Sequence, residues 1–583
     1  MDSASTNEAA ATHHNAQARV NRPGQNPITS EVIISKLSAI PNLVDKDITR
    51  TAFSTLISEY KDYAVGILDP AGKLIAQCRG GLPIFIANAL SAAVQDGLQI
   101  YGQDRLQHGD VVITNYAGTM GQHLNNVVMY TPIRLSDDED GLIGFSAVVM
   151  HWMDVGGMIV GSCFSNDASD IFQEGIQFHT MKLHSRGEPV EEMYRLIRCN
   201  TRFPEMVLGD LESQTAGCLM GRDMVQEIAE EFGTDEINAA VHRFWDRSER
   251  STRALIQTIP DGTYRAKSFL DEDPQAPGTP IPVEVAVVID GDQITIDLSG
   301  LAPQAKGPIN AGFAGGAVAA ARIACKYLFS PEEPANEGAF RPITVHCPPG
   351  RFLSADPTAA MGGSGSTIPT VVDTILRAMA SALPDRVPAG HHGTYCLHVL
   401  YGRHGENGDF FQHMESAVGG WGASLNEDGA GPFRSMAHGD TLEVPIELQE
   451  ANHPYRLEYV RLRRDSGGPG AHRGGLGVEK CYEMLGDARV GVRIDRTSYP
   501  SWGIDGGQPG KTGAVEVHRA SQPPETITKG DVALSPGDRV KLFSGGGGGY
   551  GDPRSRNRES ITADLRAGYI SEASARSHYG LTD

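Results

Sequence analysis

The sequence predicts a multi-domain α+β protein with several mixed or antiparallel sheets and packed helices. Three observations lead to it. The chain has 583 residues, and single cores stop growing near roughly 250–300 residues. Its apolar pattern switches repeatedly between a helical period and strict alternation. No segment recurs at a fixed period, which argues against solenoids and propellers. The pattern divides the chain into a flexible tail (1–27), an N-terminal α+β domain with the candidate metal site (28–261), a central α/β domain (262–440) and a β-rich C-terminal domain (441–583).

The tail is polar and lacks the apolar stretch of a secretory signal. Its adjacent His13 and His14 read as mobile polar residues. From Thr29 to about Thr55 apolar residues fall three and four apart, which predicts a helix with Ser30 as its cap. AVGILDPAGKLIAQ then reads as strand, turn, strand, with Asp-Pro-Ala-Gly at the tip. Residues 84–100 return to a helical pattern, with Gly102 near the end. GDVVITN predicts a short buried strand. HLNNVVMYTPIRL and LIGFSAVVMHWMDV predict a hairpin around the acidic turn SDDEDG, which lacks the spaced ligands of a calcium loop. Residues 167–256 read as mostly helical. Strands dominate from Gly262 to about Leu301, and AGGAVAAARIACKYLF and VVDTILRAMASAL predict buried helices. Beyond about Leu442 alternating segments such as YRLEYVRLRR predict strands between Gly- and Pro-rich turns.

Apolar residues make up 40% and charged residues 21%, an ordinary balance for a soluble chain. A net charge of -22 repels phosphate backbones and argues against nucleic-acid binding. No run of eighteen apolar residues is present, so no membrane span is expected. The eight cysteines are scattered without a CxxC pair. That pattern argues against a zinc ribbon and a disulfide scaffold, and fits reduced thiols in the cytoplasm.

The chemistry-bearing residues concentrate between 62 and 154. His123 is followed three residues later by Asn126, and His151 by Asp154. On adjacent strands of one hairpin, two imidazoles with oxygen donors can converge on Zn²⁺ or Mn²⁺. Asp62, at the start of an earlier strand, can add an anionic ligand. Spacing alone is weak support, because no compact HExxH signature occurs. SGGGGGYGDP is not a phosphate loop, since no Gly-Lys-Ser/Thr follows it. It reads as a glycine turn with unusual backbone angles or close packing. In DSGGPGAHRGGLG an Asp465–Arg473 ion pair closing a tight turn is the plainest reading. MGGSGST lacks a GxSxG elbow. His391 and His392 form a weaker second metal candidate.

Nine segments in order carry a resemblance. They are KDYAVGILDPAGKLIAQ, GDVVITN, GQHLNNVVMYTPI, MHWMDVGGMIVGSCFSNDASDIFQEGIQ, NTRFPEMVLGDL, IDLSGLAPQAKGPIN, RRDSGGPGAHRGGLG, WGIDGGQPG and SGGGGGYGDP. Together they make the chain similar to the hydantoinase B family, which includes the B half of 5-oxoprolinase and the acetone carboxylase α subunit. The resemblance implies a metal site at Asp62, His123, Asn126 and His151. The family usually has Asp at the place of Asn126, whose neutral amide is the weaker donor. Tyr116 and Trp152 also depart from the hydrolase pattern.

The resemblance further implies a metal-binding subunit of an ATP-dependent, two-component hydrolase that opens a lactam, hydantoin or imide. ATP would drive ring opening by phosphorylating the amide oxygen or a bound bicarbonate. His123 and His151 would be ligands, and Asp62 a ligand or the base. Asp154 would orient a histidine or replace Asn126. The implied cofactors are Zn or Mn, with Fe as a third candidate, and ATP with Mg on a hydantoinase A-type partner in an (αβ)₂ assembly. The rival expectations are ATP-dependent carboxylation of a ketone and a non-catalytic scaffold.

Overall fold

A computed structural model describes residues 26–135, 141–405 and 408–581. Most of the expected tail, with His13 and His14, and residues 136–140 of the acidic turn lie outside the described residues. The structure is mixed α and β, with four sheets among the described residues.

The first sheet positions the site. It has seven strands in the order β2-β1-β5-β4-β3-β6-β7. These are β1 (Tyr63–Leu68), β2 (Leu74–Gln77), β3 (Val111–Thr114), β4 (Asn126–Arg134), β5 (Leu142–His151), β6 (Met181–Ser185) and β7 (Glu188–Pro189). Every pairing is antiparallel. The β1–β2 turn closes where Asp69 Oδ1 accepts from the Ala71 and Lys73 amides, the side-chain-to-backbone bond expected of Asp in a turn. β4 and most of β5 are buried on both sides, which matches their continuous apolar runs. Helices Pro27–Thr51 and Pro204–Phe232 cover one face. There Gln214 Nε2 donates to the carbonyls of Val127 and Val148. Helix Ala89–Tyr101 covers the other face, and Gly97 leaves room for the Tyr130 ring.

Four expectations need correction. The first helix begins at Pro27 and is capped by Asn26, whose side chain accepts from the Ile28 amide, not by Ser30. The 84–100 helix is two helices, Pro83–Ile86 and Ala89–Tyr101, broken at Asn88. The start of 167–256 is irregular and contains β6, because its backbone pairs with β3 rather than with itself. The Asp465–Arg473 pair does not form. Arg473 pairs with Asp564 at 3.2 Å, and Asp465 accepts from the Ser571 amide.

The second sheet comprises Gly262–Leu270, Ile281–Asp290, Gln293–Asp297 and Ile343–His346. Helix Ser364–Met379 packs on it and on helix Ala319–Phe329. The third sheet pairs Leu397–His404 with Asp409–Ser416 and Ala488–Arg493. A second buried cluster gathers residues between Cys396 and Leu542.

The glycine-rich segments interleave as extended backbones. The amides of Gly546, Gly547, Gly548 and Gly549 donate to the carbonyls of Lys511, Gly475, Gly390 and Gln508. A Cβ on Gly547 would overlap the Trp421 carbonyl. Close approach explains this run, and positive φ does not, since none of Gly546 to Gly549 has it.

Candidate functional site

Three strand ends bring the donors together. β4 opens at Asn126 and β5 closes at His151, and the two residues are direct cross-strand partners. β1 pairs with the other edge of β5, and the His151 amide donates to the Asp62 carbonyl at 3.0 Å. Asp62, His151 and Asn126 thus stand in one row across three adjacent strands, and residues opposite each other share a face. Lys61, at φ +65°, bends the chain into this row. A non-glycine residue in the left-handed region is uncommon and concentrates at functional sites. His123 lies in the loop before β4, and its ring sits 4.9 Å from that of His151.

All four line one chamber of about 30 Å³, room for an ion together with one bound water. Its other walls include Phe85, Gly362, Gly365, Tyr395 and His438. Nδ1 of His123, Nδ1 of His151 and Oδ1 of Asn126 are buried without a hydrogen-bond partner among the described residues. Asn126 Nδ2 donates to Gln122 Oε1 at 2.9 Å, which leaves the amide oxygen as the free end. Burial holds the His151 imidazole down to about 4 and the His123 imidazole well below its ordinary value, where His151 and Arg493 add to the effect. Both rings are therefore neutral, the form that ligates metals. Burial pushes the Asp62 carboxyl up to about 7 against the pull of Arg434.

This donor set fits a divalent cation in chemistry and in room. Two neutral imidazoles, an amide oxygen and a carboxyl surround an ion-sized space, and a cation there would satisfy three orphaned atoms. The set is not drawn tight. No three His, Cys, Asp or Glu side chains among the described residues already stand as a cation cage, so side chains must shift to close on an ion.

Asp154 is a correction. It does not line the chamber and neither orients a histidine nor replaces Asn126. Arg202 Nη1 reaches its Oδ1 at 2.8 Å, while the Arg202 amide and the Thr201 hydroxyl reach its Oδ2. The three-residue spacing from His151 lost its meaning because β5 ends at His151 itself. Trp152 faces the opposite side, where its Nε1 donates to Gln214. The second candidate pair lies apart from the chamber. His391 meets Asp373 at 3.2 Å, and His392 is buried against Gly419.

Sequence reasoning missed His438, Tyr395 and the Gly362–Gly365 wall. His438 is spoken for, with Nδ1 3.0 Å from the Ser416 hydroxyl and Nε2 3.3 Å from the Tyr60 hydroxyl. The one sequence signal was the glycine cluster in MGGSGST, which opens the Ser364–Met379 helix.

A larger cavity of about 920 Å³ lies across a thin wall. In the segment 81–86, Gly81, Pro83 and Ile86 face the large cavity, whereas Leu82, Ile84 and Phe85 face the chamber. Tyr327, Trp421 and Phe433 give the large cavity an aromatic side.

Comparison with known proteins bears on the family and the fold. The family model described as hydantoinase B/oxoprolinase matches residues 26–553. An uncharacterized protein of Methanocaldococcus jannaschii is 31% identical over 559 residues, with 95% of each chain covered. The caprolactamase subunit beta of Pseudomonas jessenii is 27% identical over 571 residues, covering 95% of this chain and 96% of its own. The crystal structure of the ATP-dependent caprolactamase from Pseudomonas jessenii superimposes with a TM-score of 0.89 at 26% identity, covering 96% of each chain.

Proposed function

The chain belongs to the hydantoinase B/oxoprolinase family, and from that premise we propose that it is the metal-carrying subunit of a two-component, ATP-dependent enzyme that opens a cyclic amide. The observation that carries this reading is the row of Asp62, His151 and Asn126 across β1, β5 and β4, closed by His123 around one ion-sized chamber. Likeness to a protein named as a caprolactamase subunit beta supports a partner. We assign that partner as a hydantoinase A-type ATP-binding subunit in an (αβ)₂ complex. The chain works in the cytoplasm, where its eight free thiols stay reduced.

His123, His151, Asn126 and Asp62 would hold a divalent ion, with Zn²⁺ or Mn²⁺ favoured and Fe²⁺ the third choice. Such an ion lowers the pKa of bound water toward neutrality and polarises a carbonyl. The buried histidines stay neutral and offer lone pairs. Asp62 completes the donor set, and its second oxygen takes a proton from the attacking water. Phe85 and the surrounding apolar wall exclude bulk water. The chamber is too small for a ring, and the larger cavity on the other side of segment 81–86 has room for the body of the substrate. ATP on the partner drives the otherwise unfavourable opening.

The test is mass spectrometry of products from the chain co-expressed with its ATP-binding partner, with caprolactam, 5-oxoproline and hydantoin as probes. The expected product gains one water, only with ATP, and His123→Ala abolishes it. A product that gains carbon dioxide from bicarbonate, or full activity in His123→Ala, overturns the reading.

A further inference from the structure

One polar group of the chamber has no task in the reaction as described. Tyr395 lines the chamber, and its hydroxyl, near enough to the Asp62 carboxyl to feel its charge, is buried without a hydrogen-bond partner among the described residues. A buried hydroxyl left unpaired is unfavourable and calls for a partner. The rest of the residue is fixed. Its ring stacks on His438 with centroids 4.2 Å apart and planes 9° from parallel. His438 is itself held by Ser416 and Tyr60. On another side a Cβ at Gly365 would come 3.1 Å from the ring, so glycine there makes the space. The next residue, Cys396, has φ +48°, a second non-glycine left-handed residue beside the site. The hydroxyl is thus held at the chamber instead of turning to a protein partner.

The chamber's size says what such a donor can meet. With an ion in place it leaves room for one water-sized oxygen and not for a substrate ring. Gly362 and Gly365 line the same wall, at the start of the sixteen-residue helix Ser364–Met379. A helix N-terminus favours negative charge. A phenol, with an ordinary pKa of about 10, stays a donor at neutral pH.

We propose that the Tyr395 hydroxyl is a catalytic hydrogen-bond donor to the water that attacks the substrate, stabilising the hydroxide that forms from it. The proposal rests on the cyclic-amide reading above. In this step one O–H bond of the water breaks and its proton passes to the Asp62 carboxylate. The Tyr395 O–H donates to the oxygen as negative charge grows on it. That oxygen forms the new bond to the amide carbon. When the C–N bond breaks, the nitrogen keeps the electron pair and receives the proton from Asp62.

Fluoride is the probe, since it matches hydroxide in charge and size and fits the chamber. It is titrated calorimetrically into the full chain loaded with zinc or manganese. Tyr395→Phe is expected to weaken fluoride roughly tenfold, as for loss of one hydrogen bond to a charged group, with metal content and thermal midpoint unchanged. In the complex with the ATP-binding partner, kcat falls roughly 100-fold, as on losing one preorganised donor, while KM holds. Unchanged fluoride affinity, or no fluoride binding by the wild-type chain, overturns the proposal. So does loss of metal or of folding in Tyr395→Phe, which marks a structural role. The fluoride arm needs no substrate. Failure of the cyclic-amide reading therefore shows as an inactive wild-type complex whose fluoride binding still depends on Tyr395.

Discussion

Asn126→Asp puts the candidate metal centre under the most direct strain. In the native chain the Asn126 amide donates to Gln122 Oε1 at 2.9 Å, and its oxygen faces no protein partner. Aspartate either leaves two oxygens facing each other or holds a proton to keep the bond, and either costs the metal-free chain about 1–3 kcal/mol of stability near pH 7. Toward a cation the effect reverses. An added unit charge about 4 Å from a divalent cation is worth on the order of 8 kcal/mol at an effective dielectric of about 20. Part of this is offset. A second buried carboxyl beside Asp62 is driven, as Asp62 is, to hold a proton that the cation must displace. One or two units of such a shift cost about 1.4–2.7 kcal/mol. Roughly 5–7 kcal/mol remains as an upper bound, so binding should tighten by well over 100-fold. The assay is zinc or manganese affinity by chelator competition, with thermal unfolding in the presence and absence of EDTA. The variant should have a lower midpoint in EDTA and a larger gain on adding metal. A variant that loses stability in EDTA yet binds metal no more tightly would show that Asn126 does not face the ion.

Two further outcomes test the frame around the site. Asp373 is buried, and its Oδ2 accepts from Arg496 Nη2 at 2.7 Å and from Trp502 Nε1 at 2.9 Å. Burial pushes its carboxyl up, but the Arg496 charge and the His391 hydrogen bond outweigh this and hold it well below the usual range. A depressed folded pKa contributes stability that is present above the unfolded value, near 3.9, and is lost as pH falls below it. Asp373→Asn should therefore cost about 3–5 kcal/mol near pH 7, and the gap in thermal midpoint should narrow below pH ~4. A gap independent of pH would refute the charge argument. Gly547→Ala should cost about 3 kcal/mol or more by overpacking, whereas Gly530→Ala, whose Cβ would meet Ile527 at an ordinary 3.6 Å, should change little. Equal unfolding midpoints for the two variants would refute the close-approach account of the glycine segments.

The sequence by itself determined the α+β class, the β1–β2 turn and the β4–β5 hairpin, because these rest on local periods and turn residues. Pairing the hairpin already placed Asn126 near His151. The same spacing offered His123 and, from an earlier strand, Asp62, and the family resemblance then joined the four as one set. Only the tertiary structure decided that Asp62 joins the row, through a β1–β5 pairing some eighty residues apart in sequence. It alone gave Asp154 to Arg202, and it alone brought Tyr395, His438 and Gly362–Gly365 to the chamber. Those contacts join segments from 48 to hundreds of residues apart, and no local period or spacing records them. The glycine run shows the same division. Its composition was plain in the sequence, but its cause, backbones packed where no Cβ fits, exists only between segments that meet in the folded chain.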